Sequence, residues 1–305
     1  MKDFFQLPAP SYTFEIFPPK GSTDLAGTYA TVDALASLTP DLISVTYGAG
    51  GTSRDNTLDI ASTIQNRYDI CGLAHLTCVG STKENIAGIL DELQANHVGN
   101  ILALRGDLKE PSELGEFRHA SDLIAFIRKR RGFRIFAACY PEKHLEAPSL
   151  EEDLCRLKEK SDLGVDALIS QLFFDNDVFC RFRDRARALG VTVPIIAGIM
   201  PITSAAQIDK MVTMCGATVP DRVRRFVDAY GHNSRAIKEA GIAYATEQIV
   251  DLLARGVDGI HLYTMNQADV IRHIDENIHK RMSSLKRVLQ PLVLQQKLNQ
   301  WLRSS

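Results

Sequence analysis

At 305 residues, with 45% hydrophobic and 24% charged side chains, the chain is long enough for two ordinary soluble domains or one large α/β barrel. A formal net charge of −2 gives no electrostatic reason to expect nucleic acid or an anionic membrane as a partner. The longest apolar run, "VPIIAGIMPI", holds two prolines and falls short of the ~18 residues of a membrane span, and "MKDFFQLPAPS" at the start has no signal-like apolar stretch.

The first element is "SYTFEIFPPK" (11–20). Tyr12, Phe14, Ile16 and Phe17 suit a pleated core strand, and Pro18-Pro19 stops it. Glu15 sits in its middle, and a carboxylate buried there must be paired, protonated or used. Further strand-like runs follow: "LISVTY" (42–47), "LAHLTCV" (73–79), "NILALR" (100–105), "RIFAACY" (134–140), "DALISQLFF" (166–174), "VPIIAGIM" (193–200) and "DGIHLYT" (258–264). Helical spacing fills the gaps, as in "NIAGILDELQANHV" and "LEEDLCRLKEKSDLG". In the latter, Leu150, Leu154, Leu157 and Leu163 trace an apolar stripe behind Ser149 as N-cap. The basic run "IRKRRGFR" (127–134) reads as a solvated helix end whose cations complement the helix dipole.

Eight strands alternating with helices imply parallel strands with right-handed crossovers. The expectation is one closed (β/α)₈ TIM barrel over 1–305, with a doubly wound open sheet as runner-up. The long interval from Met200 to Asp258 leaves room for extra helices between strands seven and eight, and 280–305 reads as an amphipathic C-terminal helical tail. The six cysteines show no CxxC pair and no zinc spacing; Cys78, Cys139 and Cys180 read as reduced core residues of a cytoplasmic protein, and no metal is expected.

Active sites of such barrels lie at the C-terminal strand ends, where Glu15, Thr46, His75, "RGD" (105–107), Tyr140 and Gln171 collect. "VTYGAGGTSRD" (45–55) nearly matches a dinucleotide fingerprint, but Ser53 takes the place of the third glycine, and a tight rim loop is the better reading. Gln171, inward in an apolar strand, needs hydrogen-bond partners that a heterocycle edge would supply. From residues alone this is a barrel enzyme using one or two carboxylates on a polar heterocycle, its chemistry open.

The ordered set "FEIFPPK", "SVTYGA", "AHLTC", "ALRGD", "CYPEKH", "LKEK", "QLFFD", "GIMPI…Q" and "HLYTMN" resembles methylenetetrahydrofolate reductases of the bacterial type. The resemblance implies an FAD-containing barrel that reduces 5,10-methylenetetrahydrofolate to 5-methyltetrahydrofolate. NADH or NADPH reduces the flavin and leaves before folate takes its place. It implies Glu15 as the general acid toward N10, kept protonated by burial, and Asp107 as the carboxylate beside flavin and pterin. Thr46, His75, Arg105, Gly106 and Tyr140 would line the isoalloxazine and ribityl chain. His144, Asp153, Lys160 and, more loosely, Arg156 would hold the phosphate and adenosine portion. Gln171 and Gln207 would hold the pterin. Met211 stands where some relatives have phenylalanine, and Gln267 replaces an arginine that helps hold the folate tail. The resemblance also implies a homo-oligomer and leaves room for a partner protein. The alternatives are a proline dehydrogenase-like flavin barrel, for which no carboxylate clamp is visible, and a flavin- or folate-binding subunit that takes electrons from a partner.

Overall fold

The computed structural model describes residues 3–7, 9–19, 25–47, 51–108 and 115–284, with the side chains of 51–55 left aside. Eight parallel strands close a barrel in sequence order: β1 (Ser11–Ile16), β2 (Leu42–Val45), β3 (Cys71–Thr77), β4 (Asn100–Leu104), β5 (Arg134–Cys139), β6 (Ala167–Ser170), β7 (Ile195–Ile199) and β8 (Gly259–Tyr263). Closure is made by β1 against β8, with Thr13 beside His261 and Glu15 beside Tyr263. Around the barrel run α1 (Leu25–Ala36), α2 (Gly51–Arg67), α3 (Lys83–Ala95), α4 (Ala120–Arg128), α5 (Leu150–Asp162) and α6 (Asn176–Ala188). Then α7 (Ala205–Cys215), α8 (Asp221–Tyr230) and α9 (Ser234–Ala254) fill the long interval before β8, and helical residues 268–284 follow it. The helices start where short polar side chains occupy the N-cap: Thr82, Ser149, Asp175, Ser204 and Asn233 each accept a backbone N–H of the first turn.

Strands buried on both faces read as continuous apolar runs, and their alternation sorts residues into two layers. Tyr12, Phe14 and Ile16 of β1 pack outward into the main core under the helices. Leu42, Leu73, Leu102, Phe136, Ile169 and Ile196 fill the barrel interior. The 3₁₀ turn Phe4–Gln6 plugs the N-terminal end, with the Phe4 ring 5.4 Å from Phe136 and the Phe5 ring 5.6 Å from it. Polar side chains two residues further along the inward positions, among them Glu15 after Thr13 and His75 after Leu73, therefore face the C-terminal mouth.

Several local expectations are corrected. Phe17 lies beyond β1 and is 36% exposed, because Ile16 already takes the outward position before Pro18-Pro19. Leu163 is the C-cap of α5 and exposed, off the stripe that Leu154 and Leu157 bury. Gln171 falls one residue past β6, where the ladder has ended. Gly51 already begins α2, and residues 48–50 of the expected rim loop lie outside the described residues. The basic run is ion-paired rather than merely solvated: Arg128 and Arg134 both reach Asp166, and Arg130 reaches Asp91. Of the expected tail, 280–284 continue the helix from 268, and residues 285–305 lie outside the described residues.

Candidate active site

Glu15 is 7% exposed and projects into the C-terminal mouth. Its Oε2 lies 3.4 Å from His75 Nε2 on β3 and 3.6 Å from His261 Nε2 on β8. Neither distance is a hydrogen bond, and both imidazole nitrogens are buried without a partner. Burial pushes the His75 imidazole down to about 4, outweighing the attraction of Glu15, and the neighbouring His261 lowers it further. His75 is therefore neutral at pH 7. His261 is fully buried, with Nδ1 2.8 Å from the Thr13 hydroxyl.

The loop after β8 fixes the exit of β1. Thr264 donates its hydroxyl to the Glu15 carbonyl at 2.6 Å. Asn266 clamps the Phe17 backbone from both sides, its Oδ1 accepting the N–H and its Nδ2 donating to the carbonyl, each at 2.9 Å. Met265 and Asn266 adopt φ of 50° and 57°, left-handed values that this tight loop imposes. His261 and Asn266 are the residues that sequence reasoning missed. A histidine in an apolar run reads as core, and only barrel closure puts β8 beside Glu15.

A second group lines a cavity of about 380 Å³ beside the strand ends β4 and β5. Arg105, Tyr140, His144, Asp153, Arg156 and Lys160 all border it. Arg105 makes a two-pronged ion pair with Glu146, both contacts at 2.6 Å. Tyr140 meets His144 edge-on at 4.7 Å between ring centres, and burial pushes its hydroxyl well up. His144 donates its backbone N–H to Asp153 Oδ2 at 2.9 Å, while its Nδ1 accepts from Glu146 N at 3.2 Å. Lys160 donates to the Ala138 carbonyl at 2.7 Å, and burial lowers its ammonium below the usual lysine range. Gly106 holds φ +91°, and a Cβ there would come within 2.7 Å of Val79. Asp107 follows it, exposed at the rim and felt electrostatically by Arg105 and Tyr140. Arg156 points along the outer face of α5, paired with Glu159 and Glu152. Thr46 sits at the end of β2, its N–H on the Ile16 carbonyl.

The third group brings Gln207 and Gln267 together through one threonine. Gln267 donates to Thr203 Oγ1 at 3.2 Å, and Thr203 donates its hydroxyl to Gln207 Oε1 at 3.1 Å. The rest of the Gln207 amide is spent on its own loop, accepting from Thr203 N and donating to the Pro201 carbonyl. Gln171 Oε1 accepts from Leu172 N at 2.8 Å. Met211, one turn beyond Gln207, packs half-buried in the apolar cluster of Leu172, Met200 and Ile208 that Tyr263 borders. Among the described residues, no group of His, Cys, Asp and Glu is arranged to hold a metal ion.

The cavity brings three cations, Arg105, Arg156 and Lys160, together with the Tyr140 ring, a lining that suits a ligand carrying both an anionic and an aromatic group. The methylenetetrahydrofolate reductase family model matches residues 2–279. The 5,10-methylenetetrahydrofolate reductase of Pectobacterium carotovorum is 37% identical over 259 residues, covering 85% of this chain and 86% of that protein. That of Escherichia coli K12 is 36% identical over 258 residues, covering 85% and 87%. An Arabidopsis thaliana methylenetetrahydrofolate reductase (NADH) is 36% identical over 272 residues, and the match spans 46% of that longer protein. A Clostridium thermocellum protein solved with 5-methyltetrahydrofolic acid shares the fold at a TM-score of 0.61 and 15% identity, covering 90% of this chain and 97% of that one.

Proposed function

The chain belongs to the methylenetetrahydrofolate reductase family, and on that premise we propose that it reduces 5,10-methylenetetrahydrofolate to 5-methyltetrahydrofolate with NADH or NADPH as donor and FAD as resident cofactor. The observation that carries this reading is Glu15, a buried carboxyl at the catalytic end of the barrel whose ion-pair neighbours among the described residues are two histidines and no lysine or arginine. The methylene bridge of the substrate accepts hydride poorly while its carbon is bonded to both N5 and N10. Glu15 gives its proton to N10, the N10–carbon bond breaks, and the N5 iminium cation that remains takes hydride at that carbon to become N5-methyl.

When bound, FAD supplies the hydride carrier that the nicotinamide and then the folate meet in turn. Arg105, His144, Asp153 and Lys160 would hold its ribityl, phosphate and adenosine portion, with Arg156 at the outer edge of the cavity. Thr46, His75, Gly106 and Tyr140 would border the ring. Asp107, a rim carboxylate, would favour the positive charge of the iminium. Gln171, Gln207, Met211 and Gln267 would receive the pterin and the folate tail. Gln267, bonded to Thr203, offers the tail an amide in place of a cation.

No helix among the described residues is long and apolar enough to cross a membrane; a cytoplasmic location and assembly as a homo-oligomer belong to the same proposal. An anaerobic visible spectrum tests it. The purified protein should be yellow, bleach with NADH or NADPH, and recolour on adding methylenetetrahydrofolate. A flavin that stays oxidised with either nicotinamide would replace the donor with a partner protein, and a colourless protein that binds no FAD would overturn the cofactor.

A further inference from the structure

At the C-terminal mouth, Thr203 ties the loop after β7 to the loop after β8 through two glutamine side chains. The Thr203 N–H can only donate and the Pro201 carbonyl can only accept. Gln207 therefore turns Oε1 to the former, at 2.8 Å, and Nε2 to the latter, at 3.3 Å. The same Oε1 meets the Thr203 hydroxyl at 3.1 Å and takes its single proton. The hydroxyl oxygen is left with lone pairs alone. Its other neighbour, the Gln267 amide at 3.2 Å, must then present Nε2. A flipped amide would set two oxygens against each other with no proton between them.

We propose that Thr203 is a positioning residue that fixes the Gln267 amide: with Nε2 held by the threonine, the carbonyl oxygen is the acceptor that Gln267 turns to a ligand. Gln207 has both lone pairs of its oxygen filled and one N–H remaining. Across one hydroxyl, this corner of the site offers an acceptor from Gln267 and a donor from Gln207. It suits a neutral ligand edge that carries an N–H next to a C=O, as an amide or a lactam does. A carboxylate uses only the free N–H groups and has no proton for Gln267 Oε1, so the amide edge is preferred. The inference deepens the folate reading, since folate carries such edges in its pterin ring and its benzoyl amide, and it rests on that reading for the identity of the ligand.

Side-chain amide ¹⁵N–¹H NMR of the whole protein tests the bridge, with the two signals assigned through Gln207→Leu and Gln267→Leu. In wild type one Gln267 Nε2 proton should exchange slowly with solvent. Thr203→Val, which keeps the shape and removes the hydroxyl, should free it, and Thr203→Ser should restore it. The Gln207 signal should persist in Thr203→Val, because Thr203 N and the Pro201 carbonyl still hold it. Loss of both signals would make Thr203 a structural residue of the loop and overturn its specific role. Affinity for 5-methyltetrahydrofolate should fall about 3–10-fold in Thr203→Val, the range for one neutral hydrogen bond, and the KM for methylenetetrahydrofolate should rise by as much with kcat little changed. In the Gln267→Leu background the same substitution should add little, since the two act as one unit. Esterifying both glutamate carboxylates of the ligand should leave the fold-loss intact. A Gln267 proton that exchanges freely in wild type overturns the proposal even if Thr203→Val fails to fold, and so do additive effects of Thr203→Val and Gln267→Leu. A fold-loss that vanishes with the diester would put a carboxylate at this corner and overturn the amide edge. The NMR is read without ligand: a protein that shows the bridge and binds no folate would count against the functional reading alone.

Discussion

Glu15→Gln keeps the volume of the buried side chain and removes its transferable proton. Folate reduction should fall by at least ~10²-fold, within the range for loss of a general acid, while oxidation of the nicotinamide by an artificial acceptor survives. Equal loss of both activities would make Glu15 a structural residue. His75 carries a different prediction. Its folded value of about 4 lies below the ordinary 6.5, because burial penalises the cation. Between those two values the unfolded chain binds a proton that the folded chain refuses, so stability falls as pH drops from about 6.5 to about 4 and is level above that window. At ~1.4 kcal/mol per pH unit the loss is on the order of 3 kcal/mol. Urea midpoints across this window should slope for wild type and flatten for His75→Gln; parallel slopes would assign the acid sensitivity to another group.

At the scale of elements, α9 lies against the Pro201–Thr203 loop through Gly241. A Cβ there would stand 1.7 Å from the Ile202 carbonyl oxygen. Alanine in a helix interior gains roughly 1 kcal/mol over glycine, but overpacking against fixed backbone costs about 1–3 kcal/mol or more, so the clash wins. Gly241→Ala should lower Tm, and because the displaced loop carries Thr203 between Gln207 and Gln267, the folate KM should rise more than the nicotinamide KM. A variant with unchanged Tm would mean that α9 can slide. The same elements show what could be read in advance. All eight strands stand out as apolar runs because parallel strands are buried on both faces. Gln171 slipped from strand to loop because "ISQLFF" stays apolar after the ladder stops. The Arg105–Glu146 pair and the Thr203 bridge escaped notice because their partners are 41 and 64 residues apart and polar residues carry no period. The residues of Glu15's surroundings were visible singly, but the meeting of β1, β3 and β8 is a product of closure.

The whole molecule divides its work between the two ends of the barrel. The C-terminal mouth gathers Glu15, His75, His261 and the cavity of Arg105 and Lys160, while the N-terminal end is closed by Phe4 and Phe5 on Phe136. Phe4 is 6% exposed and belongs to the interior cluster with Leu42, Leu73 and Leu102. Removing its ring would leave a hole at the end that performs no chemistry, where the surrounding strands are too constrained by closure to collapse into it. Phe4→Ala should therefore cost about 3–5 kcal/mol of stability, read as a lowered urea midpoint. The kcat of folate reduction at 25 °C should stay within about twofold of wild type, as expected when stability and activity reside at opposite ends of such a barrel. A matching fall in kcat under conditions where the variant is still folded would show that the plug is coupled through the interior layers to Glu15, and the separation of the two ends would have to be given up.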